Sequence, residues 1–273
     1  MILRLALLLV AAAGLLASGC ATQRSGAGAL DQALAAPHRS AENRARDAYR
    51  HPRETLQFFG LRPDMTVVEV WPGAGWYTEI LAPLLKDHGR LYAAHLDPAS
   101  SEYARRTVDD FRAKLAARPD LYGKVLVTTL AAPPASGEIA PAGSADIVVT
   151  FRNLHNWMMF GWQREAFAEM HAALKPGGVL GVVEHRGDPA RPQDPKGASG
   201  YVHEQYAIEL IESVGFKLVG RSEVNANPRD TKDYEKGVWT LPPNFAAGAK
   251  DRERYAAIGE SDRFTLKFVK VAR

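Results

Sequence analysis

Two rhythms of apolar positions alternate along the chain. Short β-branched or wholly apolar runs at residues 66–70, 90–96, 124–130, 145–151 and 179–184 predict strands. Between them, apolar residues recur every three or four positions, as amphipathic helices require. Residues 52–59 predict a helix with Pro52 at its first position and Gly60 just past its end, and Leu56 and Phe59 share one face. Residues 77–86 predict a second helix, with Ile80, Leu81, Leu84 and Leu85 in step and Pro83 set to kink or shorten it. Ser101 can cap a long third helix whose inner face is Ala104, Val108, Phe111 and Leu115. Residues 163–174 turn Phe167, Met170 and Leu174 inward, and residues 202–214 hold Val202, Tyr206, Leu210 and Val214 in register. Two further strands, 216–224 and 263–271, end the pattern.

Strands alternating with helices predict an α/β fold with a doubly wound, mostly parallel seven-stranded sheet. The run 145–151 is nearly all apolar, as a strand buried on both faces should be. No crossover helix is visible between the last two strands, so they predict a C-terminal antiparallel pair. The 225–262 stretch between them shows few clear elements. An insertion of that size at a sheet end is a lid or substrate wall, or else a cover for the edge strand.

Composition changes the picture only at the N-terminus. With 46% hydrophobic and 24% charged residues, the 273-residue chain is ordinary globular material. A net charge of +3 without a Lys/Arg run gives no footing for nucleic-acid binding. Residues 1–19 are different. Arg4 is their only charge, an apolar run extends from Leu5 to Leu16, and Ala17, Ser18 and Gly19 precede Cys20, the sole cysteine. A basic start, an apolar core and small residues read as an export signal, too short for a typical membrane span. The position of Cys20 resembles a bacterial lipoprotein signal. That resemblance implies a lipidated Cys20, a periplasmic location and membrane contact through the lipid. A plain signal peptide or an anchor helix is the alternative. Residues 20–41, rich in Ala, Ser and Gly, read as a flexible tether, and residues 42–273 as the folded domain.

The stretch from Val67 to Tyr77 is where chemistry should concentrate. A β-branched strand runs into Trp71, Pro72, Gly73, Ala74 and Gly75, and a helix follows. Gly73 and Gly75 allow backbone to approach a ligand closely, and the helix start offers unpaired N–H groups. Other polar residues fall at strand ends on the same rim: Arg152, Asn153 and His155 after the fourth strand, and Glu184, His185 and Arg186 at the end of the fifth. A dinucleotide fingerprint would need a third glycine where Thr78 stands, and no phosphate-binding loop or nucleophile elbow occurs.

Several features in order resemble a class I S-adenosylmethionine-dependent methyltransferase. They are the turn from Val68 to Gly75, a second strand ending near Asp97 and Pro98, the fourth strand from Ala145 to Phe151 with Arg152–Trp157 after it, the run Leu174–Gly178 before the fifth strand, and the closing β-pair. More narrowly, the run from Trp71 to Thr78 resembles exported predicted methyltransferases. The resemblance spans residues 52–273. It implies methyl transfer from S-adenosylmethionine to a small molecule or a component of the cell envelope. It places Glu69, Trp71, Gly73, Gly75, His95, Asp97 and Asn153 around the cofactor.

Two of these positions depart from the family pattern. Trp71 stands where the family has its first glycine. Pro72 should push it into extended geometry, and its indole then stacks on the ligand, fills the pocket or packs as a core aromatic. At the end of the second strand, His95 falls where a carboxylate is usual, with Asp97 two residues on and on the same side. Asp97 is the better acceptor for ribose hydroxyls, since a neutral imidazole accepts only one bond. His155 or His185 could serve as a general base, with Glu184 beside them, or both can be hydrogen-bonded structural groups. Their spacings match no recognised ligand motif, so no metal is assigned. Two other functional classes compete: a non-catalytic ligand-binding lipoprotein on the same fold, and a histidine- or metal-dependent hydrolase.

Overall fold

The computed structural model describes residues 28–135 and 137–271. Seven strands form one sheet: β1 (Thr66–Val70), β2 (Arg90–His95), β3 (Leu126–Thr129), β4 (Ala145–Phe151), β5 (Leu174–His185), β6 (Phe216–Ser222) and β7 (Arg263–Lys270). Their order is β3-β2-β1-β4-β5-β7-β6. The pairs from β3 through β5 are all parallel, while β7 runs antiparallel to both β5 and β6. The predicted doubly wound fold with its antiparallel end is thus present, with β7 slotted between β5 and β6.

Alternation along the strands sends side chains into two cores. Val68 and Val70 of β1 share one with Trp157, Phe167 and Met170, and Val67 shares the other with Phe59, Ile80 and Phe111. The signals of the first three helices fall where the pattern places them, whereas the helix Glu204–Ser213 buries Ala207, Ile208 and Ile211 and leaves the predicted Tyr206 and Leu210 partly buried. α1 (Pro52–Phe59) starts at Pro52 and ends on Gly60 at φ 85°. α2 (Thr78–Leu85) keeps Pro83 inside it. α3 (Glu102–Ala117) is capped by the Ser101 hydroxyl, which accepts from the Ala104 N–H, and it buries the four predicted residues. α4 (Leu154–Phe160) starts directly after the β4 exit.

Order begins earlier than the tether reading placed it. Residues 28–35 are helical, with Leu30 and Ala33 buried in the second core. Arg39 is 1% exposed and donates twice to Asp47, at 2.7 Å each. Two apolar side chains and one partly buried bidentate ion pair therefore dock the segment before Ala41. The signal and Cys20 lie outside the described residues. No helix among the described residues is long and apolar enough to cross a membrane.

β5 is longer than predicted because its ladder with β4 resumes, after a bulge, where Leu174 faces Ala145. A Cβ on Gly181 of that strand would lie 2.6 Å from the buried Phe59 ring. Gly181→Ala is therefore expected to destabilise the fold by about 1–3 kcal/mol, measured as a lower urea midpoint with unchanged slope.

Candidate functional site

β1 and β4 are neighbours, and each leaves the sheet in the same unusual way. Trp71 follows β1 at φ 49°, and Arg152 follows β4 at φ 62°. Their N–H groups still reach the adjacent strands, Trp71 to the Ala94 carbonyl and Arg152 to the Val183 carbonyl, both at 2.7 Å. The backbone then turns left-handed through two bulky residues, which costs about 1–3 kcal/mol each. The extended geometry predicted for Trp71 is therefore wrong. Trp71 takes the conformation a glycine would supply, and its side chain is what holds it there. The indole Nε1 donates to the Leu130 carbonyl at 3.2 Å. The ring meets Trp157 and Trp162 edge-on, at 5.7 and 5.6 Å between centroids.

A cleft of about 280 Å³ opens between these exits, with Glu69, Trp71, Gly73, Arg152 and Asn153 in its walls. Gly73, at φ 58°, faces open space, and a Cβ there would meet nothing within 4 Å. Gly75 does not line the cleft; its missing Cβ would lie 3.0 Å from the Phe111 ring, so protein occupies that space. The Asn153 amide donates to the Val70 carbonyl at 3.0 Å and to the Thr150 hydroxyl at 3.1 Å. It ties the ends of β1 and β4 together. The Glu69 carboxylate is buried and accepts from the Thr78 hydroxyl at 2.7 Å. Burial pushes its carboxyl up to about 7, against the pull of the Thr78 bond and the Lys114 ammonium.

His95 cannot accept a ribose hydroxyl as placed. Its Nε2 donates to the Gly73 carbonyl at 3.1 Å and its Nδ1 accepts the Leu96 N–H at 2.7 Å. Both ring nitrogens are used, and they hold the glycine turn from behind. Burial lowers the ring's pKa, partly offset by the Gly73 bond. Asp97 is half-buried, and its Oδ1 accepts the Ala99 N–H at 2.9 Å. Its Oδ2 has no hydrogen-bond partner among the described residues.

The N-terminal segment covers the cleft. Trp76 donates its indole N–H to the Asn43 carbonyl at 3.0 Å. The guanidiniums of Arg39 and Arg50 lie 5.2 and 4.6 Å from its ring centroid. Arg46 and Arg50 reach Glu260 at 2.6 and 3.4 Å, and Arg263 also donates to it. Burial pushes Glu260 upward, but Arg263, Arg50 and Arg46 together hold it far below the usual carboxylate range. Sequence reasoning missed Arg46, Arg50 and Glu260. The four-residue spacing of Arg46 and Arg50 was the one available signal; nothing local marks Glu260.

Farther along the rim, His155, Glu184 and His185 converge, with one ligand-capable atom of each within 4.8 Å of the others. His155 Nδ1 donates to Glu184 Oε1 at 3.1 Å, and Glu184 also accepts the His155 and His185 N–H groups. His185 Nδ1 pairs with the Ser261 hydroxyl at 2.5 Å, and burial holds its ring well below the ordinary histidine range, helped by His155. None of the three lines the cleft. Trp239 of the insertion stands edge-on to His155 at 5.9 Å. The insertion therefore forms a wall of this rim.

Residues 68–182 match the family described as a methyltransferase domain. That stretch holds β2 to β4 and most of β1 and β5. The structure of the chain is similar to that of an S-adenosylmethionine-dependent methyltransferase from Aquifex aeolicus (17% identity, 83% of this chain and 93% of that one, TM-score 0.56). It is equally similar to the [4+2]-cyclase SpnF (17% identity, 82% and 81% covered, TM-score 0.56). At such identities the likeness is one of fold. No curated protein matches the sequence.

The domain implies S-adenosylmethionine as cofactor. The residues fit it at the amino-acid end, where Gly73 offers an unobstructed backbone at the cleft floor. Asp97 and His95, expected at the ribose end, do not line this cleft.

Glu69 generates a pH prediction. Its folded pKa lies above the unfolded value, so the folded state binds more protons between about pH 4.5 and 7. Stability should fall as pH rises through that window, by up to about 3 kcal/mol. The difference between the wild type and Glu69→Gln in urea melts at pH 5 and pH 8 measures it; parallel curves would refute the assignment.

Proposed function

We propose that this methyltransferase acts outside the cytoplasm, on an acceptor in the cell envelope, and is held at the membrane through a lipidated Cys20. The acceptor is a small molecule or an envelope component. The observation that carries the methyl-transfer part is the open, left-handed Gly73 at the floor of the cleft, on the strand–turn–helix that the methyltransferase-domain match includes. The export part rests on the sequence alone: Arg4, the run Leu5–Leu16 and the small residues before Cys20.

When bound, S-adenosylmethionine supplies an electrophilic methyl group on a sulfonium. In this reading Gly73 gives backbone approach to the amino-acid end, and Asp97 accepts from ribose. His95 and Asn153 act as positioning residues, one behind the glycine turn and one between the strand ends. The Glu184 carboxylate orients His155 through Nδ1, which directs Nε2 toward an acceptor proton as a general base. His185, held neutral by its burial, keeps a second positive charge away from that ring.

The test is calorimetric titration of the chain with S-adenosylhomocysteine, together with tryptophan fluorescence, since Trp71 and Trp76 border the cleft. Binding is expected, and its absence at millimolar ligand would overturn the reading. Asp97→Ala should weaken binding about tenfold or more, and by more than His95→Ala does; the reverse order would refute the ribose assignment. For the anchor, radiolabelled palmitate should mark the wild type and not Cys20→Ser. Equal labelling of both would exclude lipidation at that residue.

A further inference from the structure

The arginine end of the cleft carries more positive charge than the protein neutralises. Arg46, Arg50, Arg152 and Arg263 cluster there, and Glu260 is their shared carboxylate. Both Glu260 oxygens are already taken, Oε1 by Arg46 and Oε2 by Arg50 and Arg263. Arg263 also donates to the Tyr49 carbonyl at 3.0 Å. Arg152 has only its backbone bond to Val183; its guanidinium has no ion pair or hydrogen bond among the described residues, and it lines the cleft. Glu69, the carboxylate in the cleft wall, answers electrostatically to Lys114 and not to these arginines.

Arg50 and Arg263 are buried and Arg152 is half-buried; charge removed from water is usually paired, because an unpaired ion loses hydration without return. Here the repulsion is evident in the groups themselves. Burial, then the Arg152 charge, hold Arg50 well below the ordinary arginine range. Burial and Arg263 bring Arg152 down to about 10. The left-handed backbone at Arg152 adds strain at the same point. A planar guanidinium fork presented to a small cleft matches an oxyanion in two parallel bonds.

We propose that Arg152, with Arg46 and Arg50, forms a binding site for one oxyanion, a carboxylate or a phosphate group, at the arginine end of this cleft. The group is borne either by the methyl acceptor or by the amino-acid end of the cofactor. Its assignment to a source rests on the methyl-transfer reading; the anion site itself does not.

The test uses the full chain at constant ionic strength. Inorganic phosphate and acetate should raise the melting temperature of the wild type relative to chloride, and Arg152→Gln should abolish that rise. Arg152→Gln alone, in chloride, should melt no lower than the wild type, because it removes an unpaired cation. Arg46→Gln, a change at a quarter-exposed side chain, should reduce the anion response without unfolding the chain. The source is read with two ligands. If Arg152→Gln weakens S-adenosylhomocysteine at least tenfold and leaves 5′-methylthioadenosine unchanged, the site holds the cofactor's carboxylate. If both ligands bind both proteins equally while the phosphate response is lost, the site holds the acceptor's anion. If phosphate and acetate shift the wild type no more than chloride does, and Arg152→Gln alters neither ligand, the proposal is wrong. A wild type that responds to phosphate but binds neither adenosyl ligand would sink the methyltransferase reading and leave the anion site standing.

Discussion

Trp71 can hold a left-handed backbone only because its indole is anchored at both ends. The ring N–H is fixed to the carbonyl after β3, and the ring faces rest among Trp157 and Trp162, which α4 and the residues after it bring up from β4. Most of the rim geometry follows from that anchor. A turn entered left-handed sends Gly73 to the open side of the cleft and Gly75 under Phe111. It also places the Gly73 carbonyl where His95 can donate to it. An unanchored tryptophan before proline would relax to the extended region, and the glycine turn would lose its aim. The aromatic cluster is thus a structural condition for the cleft.

The second condition is electrostatic, and it joins distant parts of the chain. Arg46 and Arg50 come from the N-terminal cover, and Glu260 from the end of the insertion, 210 and more residues later. Cation–π contacts of Arg39 and Arg50 with Trp76 fasten the same cover to the glycine turn. The cover therefore sits on two supports, one aromatic and one ionic. Removing Glu260 would leave the buried guanidiniums of Arg50 and Arg263 and the quarter-exposed one of Arg46 without their carboxylate, which is far costlier than loss of a surface pair.

The sheet and most of its helices were legible in the sequence because they obey local rules. Pro52 and Gly60 bracket α1, Ser101 caps α3, and the apolar run of β4 announces a strand with both faces covered. The glycine turn was legible as a place. Its geometry was not. The rule that a residue before proline prefers an extended backbone is sound locally, and it lost to tertiary packing by tryptophans 86 and 91 residues away in sequence. His95 was placed at the right strand end, yet its ring faces the turn, a fact set by the pocket that Phe111 and Gly73 make around it. Glu260 carried no periodic or motif signal, because its role depends only on which arginines the fold brings to it.

The histidine rim and the arginine cleft are chemically unlike, and the chain between them explains how they can be kept apart. Asn153 belongs to the cleft and His155 to the rim, two residues on, at the first turn of α4. Asn153 fixes the strand ends through its amide, and Glu184 fixes His155 through its ring and its backbone N–H. A helix start pinned at two successive points cannot rotate to carry His155 into the cleft or Asn153 out of it. His185 faces its own restraint, a hydroxyl from the insertion on one side and the His155 ring on the other. Arg263, across the β5–β7 ladder from His185, is held to Glu260, and its charge still helps to keep the His185 ring unprotonated. Positive charge is thereby concentrated on one side of Asn153, and a hydrogen-bonded His–Glu–His group on the other.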